Sequence, residues 1–432
     1  MKSFLSCALA FTVLAMFTVP VFADVTPMEQ DIPELKPTTI TCMVPEAQRI
    51  GPSSQKIPAG LPANIRKDLE DQEAARAERI KNPPEYHYIA YLPAGYKAND
   101  KREYPVLWLT SPGGGANPVT YKNFLAREQM IGIGLTESKN GPWDPIIENN
   151  AAANADVMKR FRMANGFRIS TGFSGGARAA SLFALDKAYG GVLLQGAGLS
   201  GLGSFTKENP TCYFYGLFGI GDGNTKEADM LATGLPKASI RRFSLQSGNH
   251  APAQLPAFDE GLNFLLDAIY TTRPNPDPNA MAQYVIRFRI LTERAKGASG
   301  LEKYEALEFA NRIAIARKFA TDKALASNKD LLAEVADVAR QLADLGKDPA
   351  VAAELDARTA FRKVRDVEDS KWPASARDLT AFAKQCAPNY DAVANKYPDA
   401  LYGKKAADRA AWLAKGVEKD AGKGGGKGPE KD

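Results

Sequence analysis

The fold is decided by one stretch near the middle of the sequence, Phe167-Arg168-Ile169-Ser170-Thr171-Gly172-Phe173-Ser174-Gly175-Gly176. The segment Phe167 to Thr171 has the apolar, β-branched composition of a buried strand, and Ala177 to Leu185 has that of a helix. The residues between them fit the G-x-S-x-G pattern of a nucleophile elbow, a sharp strand-to-helix turn that lifts a serine hydroxyl clear of the sheet. The sequence therefore makes Ser174 a candidate nucleophile, and the alternative is an ordinary turn between a strand and a helix.

Glycines surround the candidate nucleophile because side chains at those positions would collide with the neighbouring strand and helix. The helix that follows presents free N–H groups at its start, so Gly175 is predicted to donate one hydrogen bond to an oxyanion. A second glycine-rich segment, Thr110 to Gly115, directly follows a buried strand predicted over Tyr104 to Leu109. Gly113 and Gly114 in this segment are the candidates for the second oxyanion donor, and the alternative is a flexible surface turn.

A serine hydroxyl needs a general base, and this sequence has only two histidines, His87 and His250. His250 follows a strand predicted over Ile240 to Leu245 and lies downstream of the serine, which matches the chain order serine, acid, histidine. His87 lies in the first predicted strand, upstream of the other candidates, and we interpret it as structural. The sequence favours His250 as the base, and the alternative is a loop histidine that caps the next helix.

The base needs a carboxylate that orients its ring, and the candidate is Asp222. Asp222 follows a strand predicted over Tyr213 to Ile220, the strand before the one that leads to the histidine. Glu227 and Asp229 compete for this role, but both are expected within the following helix. The alternative role for Asp222 is to cap that helix.

Segments typical of strands alternate with helical ones through the middle of the chain, one of the helices being expected near Asn150 to Met163. The predicted strands are Tyr86 to Leu92, Tyr104 to Leu109, Met130 to Leu135, Phe167 to Thr171, Val192 to Gln195, Tyr213 to Ile220 and Ile240 to Leu245. This alternation predicts the α/β class, a mostly parallel sheet with helices on both faces. Strand signals stop near Asn279, and Met281 to Val417 predicts an all-α C-terminal domain.

The chain is expected to divide into a signal peptide over residues 1–23, a Pro-rich N-terminal arm and helix over 24–84, an α/β domain over 85–273, a helical domain over 280–418 and a disordered Gly/Lys tail over 419–432. The first segment has a positive start at Lys2, an apolar run and a small-residue cleavage pattern ending at Ala23. The alternative is a membrane anchor, for which the apolar run is short. We expect a periplasmic or secreted protein with no membrane span in the mature chain.

Two helix starts can be read from the helical region. Ser327 and Asp330 form a pattern like a capping box, and Asp348-Pro349 places proline at the first position of the next helix. The region is another packed domain, a cover for the cleft, or a docking module for a protein partner, and the sequence does not choose among these.

Composition excludes several classes of function. The net charge of +5 comes from 55 basic and 50 acidic residues, which gives no electrostatic reason to expect a nucleic-acid partner. Two histidines exclude a metal site with three histidine ligands. The mature chain retains Cys42, Cys212 and Cys386, which are too scattered for a zinc site. A Cys42–Cys212 disulfide and buried free thiols both remain open.

Between Tyr88 and about Tyr270 the sequence resembles the α/β-hydrolase superfamily, especially its exported esterases near the feruloyl-esterase and polyhydroxyalkanoate-depolymerase groups. The resemblance rests on Tyr91-Leu92-Pro93-Ala94-Gly95-Tyr96, Tyr104-Pro105-Val106-Leu107, the loop from Ser111 to Gly115, Gly172 to Arg178, Gly221-Asp222 and Gly248-Asn249-His250. It implies Ser174 as nucleophile, His250 as base and Asp222 as acid, with acyl transfer to water and no metal or organic cofactor. One departure is that Ser111-Pro112 precede the glycines where the family often has His-Gly-Gly-Gly.

The expected function is therefore a serine esterase that acts on a small-molecule or polymer ester. A serine peptidase on the same fold is one alternative, because nothing in the sequence separates ester from amide substrates. The other is a non-catalytic hydrolase-fold protein that binds a partner through its helical domain.

Overall fold

The computed structural model describes residues 32–53, 57–58, 60–96, 102–198, 208–235, 240–246, 249–274, 277, 279–370 and 379–421. The predicted signal peptide and most of the predicted tail, from Gly422 onward, lie outside these residues. The chain divides into two compact units, one formed by residues up to 163 together with 170–186, and the other by residues 164–169 together with 187–432.

An eight-stranded sheet forms the framework, with the strand order β1-β2-β4-β3-β5-β6-β7-β8. The strands are β1 (Thr38–Met43), β2 (Glu85–Tyr91), β3 (Tyr104–Thr110), β4 (Ile131–Leu135), β5 (Met163–Phe173), β6 (Tyr189–Gln195), β7 (Tyr213–Gly219) and β8 (Arg241–Gln246). The pairs β1–β2 and β2–β4 are antiparallel, whereas β3–β4, β6–β7 and β7–β8 are parallel. The predicted α/β fold with a mostly parallel sheet is confirmed.

The helices alternate with the strands and then continue alone to the C-terminal end of the described chain. They are α1 (Ala63–Lys81), α2 (Lys122–Glu128), α3 (Trp143–Arg160), α4 (Gly175–Phe183), α5 (Thr225–Gly234), α6 (Leu255–Thr271), α7 (Ala280–Lys296), α8 (Gly300–Ala316), α9 (Lys329–Leu345), α10 (Pro349–Ser370), α11 (Leu379–Lys396) and α12 (Leu401–Ala421). None of these described helices is both long enough and apolar enough to cross a bilayer.

The N-terminal arm contains a β-strand that was not predicted from the sequence, because the segment is rich in proline. Strand β1 lies within it and pairs with β2 from Thr38 opposite Ala90 to Met43 opposite Glu85. The side chains of Ile40 and Cys42 are buried, while their neighbours along the strand are more exposed, the alternation expected of an edge strand with one covered face. The arm is therefore partly an integral strand of the sheet.

Helix α1 is held by charge rather than by an apolar face, since none of its residues is buried. Arg76 and Arg79 reach Asp144 at 2.7 and 2.9 Å, and Arg79 also lies 3.0 Å from Glu148. Both carboxylates belong to α3, and Glu148 additionally accepts a hydrogen bond from the hydroxyl of Tyr86. These partly buried pairs attach the arm helix to the first unit.

Helix α3 begins seven residues before the predicted start near Asn150, and its last residue precedes the predicted end at Met163, which opens β5 instead. The predicted start is too late because it places Pro145 outside the helix, whereas Pro145 lies in the first turn of α3. A proline there breaks no helical hydrogen bond, because the first N–H groups of a helix have no intrahelical partner.

The second unit joins β6, β7 and β8 to all six helices from α7 to α12, so the predicted boundary between 273 and 280 falls inside it. Helix α6 packs on β6 and β7, and α10 and α12 contact β8. The predicted helix start at Pro349 is confirmed, with Asp348 accepting from the N–H of Ala350 at 2.8 Å. The predicted cap at Ser327 and Asp330 is wrong, because Asn328 accepts from the N–H of Leu331 at 3.0 Å and fills that position.

The three cysteines of the described chain are free and buried, so the structure contains no Cys42–Cys212 disulfide among these residues. Cys42 donates to the carbonyl of Tyr86. Burial raises the pKa of both the Cys42 and the Cys212 thiol to about 12. Because the thiolate is the reactive form, both side chains are expected to be inert in the folded protein.

Alkylation tests this directly. At pH 8 in native buffer, iodoacetamide should leave Cys42 and Cys212 unmodified, as measured by peptide mass spectrometry. After unfolding in guanidinium without reductant, both should be alkylated fully, since no disulfide protects them. A requirement for reductant, or a cross-linked peptide pair, would contradict the free-thiol structure.

Candidate active site

The turn predicted as a nucleophile elbow is formed by the end of β5, Ser174 and the start of α4. Ser174 has φ 53° and ψ −121°, and its side chain is partly exposed. A non-glycine residue at positive φ is strained, and it persists only where the surrounding structure imposes it. The strain separates Ser174 from an ordinary strand-to-helix connection.

Close packing against Thr110, the last residue of β3, imposes this turn. The Thr110 hydroxyl donates to the carbonyl of Gly176 at 2.6 Å. A Cβ atom on Gly172 would lie 2.4 Å from that hydroxyl, and one on Gly176 would lie 2.9 Å from the Thr110 carbonyl. Only glycine allows β3, β5 and α4 to approach this closely.

The two oxyanion candidates in the loop after β3 differ in the state of their N–H groups. The Gly114 N–H donates to the carbonyl of Ser111 at 3.1 Å and is therefore used by the turn itself. Gly113 forms an antiparallel bridge with Lys139, and among the described residues none accepts a hydrogen bond from its N–H. Gly175 occupies the first position of α4, where helix N–H groups have no intrahelical partner. Of the three glycine candidates, Gly175 and Gly113 are thus the ones whose N–H groups the turn does not use.

Asn140 is a residue at the elbow that the sequence does not reveal. It lies on the loop after β4, and its backbone N–H donates to the carbonyl of Pro112 at 2.7 Å. Its carboxamide lies against Gly175, so that a Cβ there would be 1.7 Å from the Asn140 Oδ1 atom. Asn140 lies 35 positions before Gly175 by the numbering, and no local motif marks it, so only the fold brings the two together.

In the second unit the structure brings Asp222 and His250 together. The Nδ1 atom of His250 lies 3.0 Å from both carboxylate oxygens of Asp222. The Asp222 side chain is 1% exposed and that of His250 is 37% exposed. A carboxylate only accepts, so we assign the proton to Nδ1, which leaves the lone pair on Nε2. A buried carboxylate that accepts from Nδ1 fixes the orientation of the ring, which is the geometry that a general base would need.

Backbone hydrogen bonds fix the two loops that carry this pair. Asp222 Oδ1 accepts from the N–H of Asn224 at 2.9 Å, which occupies part of its remaining acceptor capacity. In the His250 loop, the Gln246 side chain donates to the carbonyl of Ala251 at 3.2 Å, and the N–H of Ala253 donates to the Gln195 side chain at 3.0 Å. Gln195 and Gln246 thus hold the loop that carries His250, and sequence reasoning missed both residues.

The remaining candidates serve other contacts. Glu227 accepts from the N–H of Gly198 at 2.6 Å, which is a structural role. The Asp229 side chain lies outside what the structure describes. His87 pairs with Glu137 at 2.8 Å on β2, and Glu137 also accepts from the Thr136 hydroxyl.

Ser174, Gly175, Gly113 and Gly114 lie in the first unit, and Asp222 and His250 lie in the second. No group of three or more His, Cys, Asp or Glu side chains in the described part of the chain is arranged to hold a metal ion. That the reaction needs no metal and no cofactor stays a prediction.

The comparisons with known proteins concern the fold. No family model and no curated protein matches the sequence. Among solved structures the chain is similar to a ferulic acid esterase, at 16% identity over 43% of this chain and 92% of that one, with a TM-score of 0.35. It is also similar to an S-formylglutathione hydrolase from Agrobacterium tumefaciens, at 14% identity over 43% and 90% of the two chains and a TM-score of 0.31. A dipeptidyl peptidase 4 from Porphyromonas gingivalis matches at 12% identity over 43% and 34%, with a TM-score of 0.33.

The elbow geometry predicts how two glycine substitutions differ. Gly172→Ala should lower the free energy of unfolding by about 2 kcal/mol or more, because its methyl group overlaps the Thr110 hydroxyl and the Gly176 backbone. Gly113→Ala should change it by less than about 1 kcal/mol, since nothing lies within 4 Å of the added methyl group. Urea unfolding of the two variants measures the difference, and equal effects would contradict the packing described for the elbow.

Proposed function

We propose that this protein is a serine hydrolase that cleaves carboxylic esters, with Ser174 as nucleophile, His250 as general base and Asp222 as the orienting acid. The observation that carries the proposal is the strained backbone of Ser174. A non-glycine residue in such a turn costs of order 1–3 kcal/mol. Glycine would form the same turn without this cost, so the fold alone gives no reason for a serine there. The buried Asp222 paired with His250 Nδ1 supports it independently.

In the proposed reaction, His250 Nε2 takes the proton of the Ser174 hydroxyl as Oγ attacks the ester carbonyl carbon. The Gly175 and Gly113 N–H groups hold the carbonyl oxygen as it becomes negative. The His250 proton then passes to the departing alkoxide, which leaves as the alcohol, and the acyl group stays on Ser174. Water, deprotonated by His250, attacks this acyl-enzyme, releasing the carboxylic acid and restoring the serine.

Asp222 contributes through its buried carboxylate beside the ring. Its carboxylate holds His250 in the tautomer that carries its proton on Nδ1, and it stabilises the imidazolium that forms after proton transfer. The electrostatic attraction between the Asp222 carboxylate and the imidazolium is stronger in this buried position than in water, because the local dielectric constant is lower. A neutral amide at this position would favour the wrong tautomer.

Labelling with a fluorophosphonate probe tests the proposal. The wild-type protein should be labelled on Ser174, and Ser174→Ala should lose both labelling and ester hydrolysis. Asp222→Asn should lower kcat by about 10⁴-fold. His87→Gln is the matched control, because its ring pairs with Glu137 and has no part in the proposed chemistry, so its kcat should equal that of the wild type.

Two outcomes would overturn the assignment. Hydrolysis that persists in purified Ser174→Ala rules out this nucleophile, and a folded wild-type protein that reacts with no serine probe supports a non-catalytic binding protein instead. A series of p-nitrophenyl esters of increasing chain length, measured beside p-nitroanilides, separates an esterase from a peptidase. The proposal predicts turnover of the esters with no enzyme-dependent release of p-nitroaniline, because a peptidase would cleave both classes of substrate.

A further inference from the structure

The C-terminal helices pack on the ends of the two strands that lead to the acid and the base. Ile220, directly after β7, and Leu245, near the end of β8, belong to one buried cluster with side chains of α11 and α12. The helical members of the cluster are Phe382, Ala383, Cys386, Tyr390, Val393, Ala406, Ala410 and Leu413. Ile220 lies two residues before Asp222, and Leu245 lies five residues before His250.

A buried arginine adds a directional contact to this apolar one. Arg409 on α12 is 6% exposed, and its guanidinium donates to the backbone carbonyl of Leu245 and to the carboxylate of Glu368. Strand β8 is the last strand of the sheet order, so among the described residues no further strand pairs with the carbonyls on its outer edge. At Leu245 the Arg409 guanidinium supplies a charged donor, beside a 3.4 Å hydrogen bond from the Ser244 hydroxyl to the same carbonyl.

Glu368 is the group that holds Arg409 in place. It is 1% exposed. It accepts a hydrogen bond from the Tyr390 hydroxyl and forms an ion pair with Arg365, whose Nη1 atom lies 2.9 Å away. Burial alone would raise the pKa of Glu368, but the positive charges of Arg365 and Arg409 hold it at about 2. Fully paired in this way, Glu368 keeps its charge and fixes the orientation of the Arg409 guanidinium.

The residue next to Leu245 connects this contact to both members of the pair. The backbone carbonyl of Gln246 accepts from the N–H of Ile220 at 3.1 Å, on the strand end that leads to Asp222. Its side chain donates to the carbonyl of Ala251, the residue after His250. A shift of the β8 end would therefore move the base and, through Ile220, the acid.

Stability alone does not explain a buried charged pair at this place. Well-packed apolar residues of similar volume often stabilise a protein as much as a buried ion pair does, whereas a two-pronged guanidinium fixes one carbonyl at a defined position. Catalytic geometry needs such definition, because a displacement of about 1 Å can lower a rate about 100-fold.

We propose that Arg409, oriented by Glu368, is a positioning residue for the Asp222–His250 pair, so that the C-terminal helical region forms part of the catalytic apparatus. The inference rests on the proposed function for its kinetic consequence, but its structural consequence is measured without catalysis. Arg409 touches neither substrate nor the reacting atoms, and it acts through the Leu245 carbonyl and Gln246.

The test compares Arg409→Met with Arg358→Met. Arg358 is also 6% exposed and pairs with Glu305 and Glu308 of α8, so its loss also removes a buried charge from the helical region. Both substitutions should lower the urea midpoint. Only Arg409→Met should lower kcat, by about tenfold to 100-fold with KM changed less than about threefold.

The second readout is the low-field proton resonance of His250 Nδ1–H, hydrogen-bonded to Asp222. The chain has only two histidines, so the His87→Gln variant assigns it. Arg409→Met should shift this resonance upfield or remove it by exchange, while Arg358→Met should leave it in place. Arg409→Lys replaces the planar, two-pronged guanidinium with a single ammonium, and it should give values of kcat and of shift between those of wild type and Arg409→Met.

Equal effects of Arg409→Met and Arg358→Met on both readouts would overturn the proposal. If Arg409→Met does not fold, the test rests on Arg409→Lys. A wild-type kcat and an unshifted His250 resonance in Arg409→Lys would then overturn the proposal. If Ser174→Ala stays active while Arg409→Met still displaces the resonance, the proposed function fails and the positioning stands. If Ser174→Ala is inactive and Arg409→Met leaves the resonance unmoved, the proposed function stands and the positioning role of Arg409 fails.

Discussion

The close approach of β3, β5 and α4 at Thr110 is the constraint on which the rest of the site depends. Two glycines remove the side chains that would keep these elements apart, and the Thr110 hydroxyl binds the Gly176 carbonyl across the gap. The chain can then turn within one residue, and that residue is Ser174 at positive φ. Strain at one position is thus the consequence of tight packing at its neighbours.

In the second unit, two loops hold the imidazole of His250 and the carboxylate of Asp222 at a fixed distance from each other. Asp222 is buried and His250 is partly exposed, so the acid is protected from water while the ring remains accessible. Backbone and glutamine hydrogen bonds fix each loop. The helical region adds a charged network around Glu368 against the end of β8, where Arg409 donates to the Leu245 carbonyl.

The sequence was sufficient wherever the signal is local. The strand that precedes Ser174 and the loop positions of Asp222 and His250 follow from hydrophobic patterning and chain order, and the pairing of Asp222 with His250 agrees with them. Strand β1 was hidden by the prolines around it, and the start of α3 was hidden by Pro145, which the first turn tolerates.

Contacts between distant residues were beyond the reach of sequence reasoning. Arg409 binds the carbonyl of a residue 164 positions away, and any carbonyl would satisfy its chemistry equally well. Asn140 reaches Gly175 because the loop after β4 lies against the start of α4, and no local motif marks Asn140 itself. Patterning reports which elements form, whereas the partners of single polar side chains depend on how those elements pack.

Trapping of the covalent intermediate tests the central claim most directly. The protein would be mixed with a p-nitrophenyl ester, quenched in acid within milliseconds, and analysed by intact-mass and peptide mass spectrometry. The account predicts a burst of p-nitrophenol and a mass gain of one acyl group per chain, located on the peptide that contains Ser174. Ester turnover with no acyl adduct, or with the adduct on another residue, would contradict it.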